Sequence, residues 1–215
     1  MNFQIVDLTH EVSNDMPVFP GDMAPAIKPR YTHDKDGFQE LGLKLTTHTG
    51  THIDCPLHLI KGMSPLSSIE IGTFYGKAIT IDCSAVTDEI SLNVIQPYHQ
   101  KLNSSDYVLF YTGYDRWWGG KEYFKKFPVL TEEAAGYLIT FNIRGVGFDT
   151  ISADRIDSES LPVHRMLLQN NILIIENLTA LKEVLHEEFF FSCFPLKIRG
   201  GDGSPVRAVA YVEKK

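Results

Sequence analysis

A chain of 215 residues with 43% hydrophobic and 22% charged side chains can bury a sizeable core, which excludes the disordered and fibrous classes. A formal net charge of -7, with lysines and arginines scattered, leaves no electrostatic footprint for nucleic acid. No linker, repeat or low-complexity stretch divides the chain, so residues 1–215 read as a single domain.

Residues 3–8 read as an opening strand. The segment 14–22 is rich in turn residues and holds Val18 and Phe19 between Pro17 and Pro20, a loop of little freedom. From Glu40 onward, Leu41, Leu43 and Leu45 alternate with Gly42, Lys44 and Thr46, the period-two signature of a half-buried strand running into a His-rich stretch. Continuous apolar runs at 78–83, 107–112 and 145–149 predict core strands. Thr131 followed by Glu132 and Glu133 caps a predicted helix over 131–138. Another buried strand is predicted over 171–176, and a helix over 179–185. Strand alternating with helix in the second half, after a more hairpin-like first half, predicts an α/β fold on a mixed sheet.

The first residues carry no basic flank before an apolar run, and no apolar run approaches a membrane span, so a cytoplasmic protein without membrane contact is expected. Cys55, Cys83 and Cys193 have no paired spacing, which suits a reducing compartment and predicts three buried thiols.

The chemistry concentrates in His48-Thr49-Gly50-Thr51-His52-Ile53-Asp54-Cys55-Pro56-Leu57-His58, where three histidines and a carboxylate are candidate metal ligands. Threonines and glycine make this stretch a poor helix, so His48 and His52 do not meet an ion from one helical face. In a straight strand they would stand about 13 Å apart, so the chain must bend between them, and Gly50 is the residue that permits it. His52 and Asp54 share one face of an extended pair, while Cys55 points the other way as a small core filler. Pro56 ends any ladder and redirects Leu57 and His58. Any one of these histidines alone is more simply a surface or backbone-bonded residue. Together, without paired thiolates, they favour an open His/carboxylate site and hence catalysis over a closed structural zinc site. Glu176 and Asp149 close buried strands at the end where α/β folds place chemistry, and His164 opens the helix before Glu176. On local grounds these three are ordinary strand-end and helix-start residues.

The run satisfies in full the signature His-x-Gly-Thr-His-x-Asp-x-Pro-x-His, and with 7–10, 16–22 and 200–208 it resembles the cyclase family of metal-dependent hydrolases across nearly the whole chain. That family includes bacterial kynurenine formamidases and isatin hydrolase. The resemblance implies a three-layer β/β/α swivelling-type fold and two ions, Zn2+ or in some members Mn2+. It implies that His48, His52 and Asp54 hold one ion, and Asp54, His164 and Glu176 the other. His58 is then the general acid/base, a task imidazoles perform well. Phe19 is implied to face a planar substrate, though packing against the next strand explains it nearly as well. A homodimer or homotetramer is also implied.

The expected reaction is hydrolysis of an N-formyl aromatic amine, as in tryptophan catabolism, or alternatively of a cyclic amide of the isatin kind or a lactone. A non-catalytic metal- or ligand-binding protein is the reading from another class; His58 beside a complete ligand set argues against it. Nucleophilic catalysis is disfavoured, since no Gly-x-Ser-x-Gly elbow occurs. Tyr114, Trp117 and Trp118 form an aromatic cluster that suits a pocket wall, a lid or a subunit contact equally. The glycine-rich segment 200–204 permits close backbone approach to a site, or simply makes a turn.

Overall fold

The apolar runs of the sequence form the middle of one large, curled, mixed sheet in a computed structural model that describes residues 3–214. In chain order the strands are β1 (Phe3–Asp7), β2 (Ala26–Tyr31), β3 (Glu40–Lys44), β4 (His52–Asp54), β5 (Tyr75–Asp82), β6 (Glu89–Ile90), β7 (Tyr107–Tyr111), β8 (Val129–Leu130), β9 (Gly145–Phe148), β10 (Leu173–Glu176), β11 (Glu188–Ser192), β12 (Gly203–Pro205) and β13 (Val209–Glu213). The helices are α1 (His33–Asp36), α2 (Leu92–Ile95), α3 (His99–Leu102), α4 (Glu132–Leu138) and α5 (Pro162–Gln169). Nine strands join in the order β1-β13-β11-β5-β7-β9-β10-β4-β12. The central four, β5, β7, β9 and β10, run parallel, and the flanking pairs are antiparallel.

The parallel strands are buried on both faces, which is why they read as unbroken apolar runs. Val108 and Phe110 of β7 face α4 and α5 in one core, while Tyr107 and Leu109 face a second core inside the curl of the sheet, with Ile53, Ile175 and Phe191. The fold is therefore α/β with few helices, as expected. Thr131 caps α4 by accepting a hydrogen bond from the Ala134 N–H at 3.1 Å, confirming that helix start. All three cysteines are buried and free.

Two expectations need correction. The Leu41/Leu43 alternation does form a strand, but β3 pairs only with β2, in a separate two-stranded sheet. No residue of either strand is buried, and Leu43 is 62% exposed. The predicted helix over 179–185 shrinks to one 3-10 turn, Leu181–Val184, preceded by Ala180 at φ 55. Burial of Leu181 and Val184, three residues apart, reproduces the apolar spacing of a helix within a single turn.

Candidate metal centre

The bend foreseen at Gly50 exists: its φ is 65, and beyond it the chain enters β4 with His52 and Asp54 on one face. Antiparallel pairing sets Glu176 of β10 opposite His52, and Gly203 of β12 opposite Asp54. His48 then folds back over Gly203, where a Cβ would lie 2.7 Å from the His48 Cε1. Only a glycine leaves room for that ring. His164 enters from the first turn of α5.

Three imidazoles converge on two buried carboxylates. His48 Nδ1 lies 2.7 Å and His52 Nε2 3.4 Å from Asp54 Oδ1. His164 Nε2 lies 3.9 Å from Asp54 Oδ2 and 3.0 Å from Glu176 Oε1, and His52 Nε2 is 3.5 Å from Glu176 Oε2. In each ring the outer nitrogen faces a group that can only accept: Asp202 Oδ2 for His48 at 2.9 Å, the Gly50 carbonyl for His52 at 2.8 Å, and Asp154 Oδ2 for His164 at 2.6 Å. Each outer nitrogen therefore donates its proton outward, and the inner nitrogens are left to present lone pairs to a cation. Asp54 Oδ1 is buried yet meets no donor in hydrogen-bond geometry among the described residues. An oriented set of nitrogen and carboxylate donors around such an atom fits a divalent ion of the borderline kind.

The electrostatics agree. Burial disfavours charge on His48 and His164, but Asp54 and Asp202 around the first, and Asp154 and Glu176 around the second, outweigh it and push both up to about 10. Burial likewise opposes charge on Asp54, and His48 and His52 override it to hold that carboxyl well below its ordinary value. Without a cation the cluster retains protons; a bound ion would displace them.

Donor atoms of His52, Asp54 and Glu176 lie within 4.8 Å of one another, and so do those of His48, Asp54 and His58. Asp54 belongs to both groups. His58 follows Pro56 in a 3-10 turn, its ring centroid 4.1 Å from that of His48. The structure thus brings all six sequence-identified ligand and acid/base candidates together, with His58 close enough to reach an ion beside His48.

Two residues escaped the sequence reading. Asp202 accepts from His48, from His58 Nδ1 at 3.3 Å and from the Thr47 hydroxyl at 2.9 Å. Its signal was its place in the glycine-rich segment 200–208 that carries part of the family resemblance. Asp154 accepts from the backbone N–H groups of Val163 and His164 as well as from the His164 ring, so one carboxylate caps α5 and aims the ligand. Asn177, at φ 57, ties the two ligand-bearing segments: its side chain donates to the Gly50 carbonyl at 2.9 Å and accepts from the Tyr123 hydroxyl at 2.8 Å.

Above the cluster opens a cavity of about 270 Å³ with Pro17, Val18, Phe19, Asp22, Ile151 and Leu161 among its lining. Phe19 lines the cavity and packs against the cluster that includes Tyr123 and Ile151. Tyr114 and Trp118 pack behind that wall, Trp118 stacking on His10 at 3.9 Å, whereas Trp117 is exposed beneath Arg116. Asp149 stands apart from the cluster, accepting from Thr112 and Gly113.

A curled mixed sheet that gathers histidines and carboxylates beneath an apolar mouth describes a hydrolase-like metal site. The chain belongs to the cyclase family, whose model, described as "Putative cyclase", matches residues 6–155. It is 30% identical over 206 residues to the kynurenine formamidase of Bacillus cytotoxicus, covering 95% of each chain. Its fold is similar to that of an isatin hydrolase bound to the product analogue thioisatinate, with a TM-score of 0.91 and 25% identity over 99% of this chain and 93% of that one. A predicted metal-dependent hydrolase from Bacillus stearothermophilus matches with a TM-score of 0.82 and 30% identity over 98% of this chain and 99% of that one. Among the described residues no helix is long and apolar enough to cross a membrane.

Proposed function

We propose that this chain is a metal-dependent amidohydrolase that cleaves an N-formyl aromatic amine, in the manner of an arylformamidase. The observation that carries the reading is the convergence of three outward-bonded imidazoles on Asp54 and Glu176 at the base of an apolar cavity. His48, His52 and Asp54 would hold one Zn2+ and Asp54, His164 and Glu176 a second, with Mn2+ as the alternative. When bound, such an ion supplies Lewis acidity, acidifying water and polarising an amide carbonyl.

The chain's own residues supply the rest. Asp202 accepts from His58 Nδ1, which leaves Nε2 to take a proton from the attacking water and return it to the leaving amine. Because the same carboxylate accepts from His48, it sets the orientation of a ligand and of the acid/base together. Asn177 and the Gly50 carbonyl keep His52 from turning. Phe19, Val18 and Leu161 exclude water from the substrate's aromatic ring. A cyclic amide of the isatin kind is the second reading, favoured by the fold similarity to isatin hydrolase.

The β2–β3 hairpin supports a homodimer or homotetramer. Its face of Ile27, Pro29, Leu41 and Leu43 has no cover within its own chain, and an isolated hairpin is marginal in water. Buried free thiols suit a cytoplasmic enzyme. The test is metal analysis of the purified protein coupled to hydrolysis of formanilides, isatin and simple lactones. Formanilide turnover that tracks metal content supports the reading; fully metal-loaded protein inactive on every amide and ester refutes it.

A further inference from the structure

We propose that the cavity selects neutral or cationic aryl amides over anionic ones, with Asp22 as the residue that reads charge at the end of the substrate remote from the reacting amide. This rests on the amidohydrolase reading and narrows its substrate class.

At about 270 Å³ the cavity is small, suited to one aromatic ring with a short substituent. With the amide held over the ligand cluster, the far end of such a ring points towards the mouth. No lysine or arginine lines the cavity among the described residues, so a carboxylate there would lose water without gaining a cation. Asn177 and Ser152 also bring polar groups to the wall. Asn177 has its carbonyl and amino groups committed to Tyr123 and Gly50, and the Ser152 hydroxyl accepts from the Asp154 N–H at 3.2 Å. Arg165, on α5 after Leu161, directs Nε to the Ser160 carbonyl at 2.9 Å and Nη1 to that of Leu59 at 3.4 Å.

Asp22 is different. Its backbone N–H donates to the Phe19 carbonyl at 2.9 Å, in a turn where Gly21 adopts φ 98, so the loop that presents Phe19 also sets Asp22. Asp22 lines the cavity, and its carboxylate has no hydrogen bond or ion pair within the described residues. It would accept from an ammonium, amino or hydroxyl group on the substrate and repel an anion in the same place. Because Asp22 is exposed, screening keeps the effect modest, about threefold to tenfold between a cationic and an anionic substituent at low salt.

The test uses full-length, zinc-loaded protein and three formanilides bearing a 4-methyl, a 4-aminomethyl or a 4-carboxyl group, with kcat/KM measured at low and high ionic strength. The cationic and neutral compounds should exceed the anionic one. The cation-to-anion ratio should contract in high salt and in Asp22→Asn, and invert in Asp22→Lys. Comparing ratios between variants cancels the substituents' own effect on amide reactivity. Equal turnover of the charged pair in the wild type, or a ratio unmoved by Asp22→Asn, would overturn the proposal. If none of the three is hydrolysed, the amidohydrolase reading fails instead. Calorimetric binding of the three corresponding anilines then decides the charge preference separately, with equal affinities refuting it.

Discussion

Replacing Asp202 by alanine isolates what the shared carboxylate contributes. In the native site it accepts from His48 Nε2 at 2.9 Å and from His58 Nδ1 at 3.3 Å, and burial is outweighed by His48 so that its carboxyl sits down at about 2. Removing a carboxylate that orients a metal-ligating histidine costs about 10–100-fold in metal affinity or activity, or about 1.4–2.8 kcal/mol. The short His48 contact places the loss of metal affinity towards the upper part of that range. The longer His58 contact places the loss in kcat near its lower end. Fold stability should change little, because Asp202 is 37% exposed. The assay is zinc competition against a chelator, followed by kcat on formanilide at saturating zinc, with Asp202→Asn as an intermediate variant that keeps one acceptor. Zinc affinity and kcat both within about twofold of wild type in Asp202→Ala would refute the role assigned to this residue.

Two other outcomes test separate parts of the structure. Burial pushes Asp149 up to about 7 against the pull of Thr112 and Gly113, with Asp115 adding to the rise. Its folded value thus lies above its unfolded one, the native state binds the extra proton between about pH 4 and 7, and stability falls as pH rises through that window. Chemical denaturation of Asp149→Asn across those pH values should show a flatter dependence than wild type; an identical slope would mean that Asp149 is not the group responsible. Leu43→Lys, on the exposed hairpin face, should dissociate the proposed oligomer as measured by light scattering, while a wild-type protein already monomeric would remove this face as the contact.

The legible part of this protein was local. The run from His48 to His58 could be read because ligand types, the Gly50 bend and the shared face of His52 and Asp54 all follow from short-range backbone geometry. The central strands were legible for the same reason: burial on both faces leaves unbroken apolar runs. His164 and Glu176 stood out locally only as a helix-start and a strand-end residue, and family resemblance alone raised them to ligands, since β10 pairing with β4 is a contact across more than a hundred residues. Asp202 was missed because β12–β4 pairing brings it beside His48, and Asp154 because a loop folds it onto the first turn of α5. Period-two patterning found β3 but could not tell that its leucines would have no cover within the chain. Two buried residues three apart looked like a helix at 179–185, where one 3-10 turn was enough to carry the chain from β10 towards β11.

The division of labour within the His48–His58 run is tested most directly by measuring bound metal and formanilide turnover together in His58→Ala and Asp54→Asn. His58→Ala should keep metal and lose turnover, whereas Asp54→Asn, which removes the carboxylate nearest to His48 and His52, should lose both. Equal metal loss in the two variants would contradict the account, moving His58 from proton carrier into the ligand set beside His48 and Asp54.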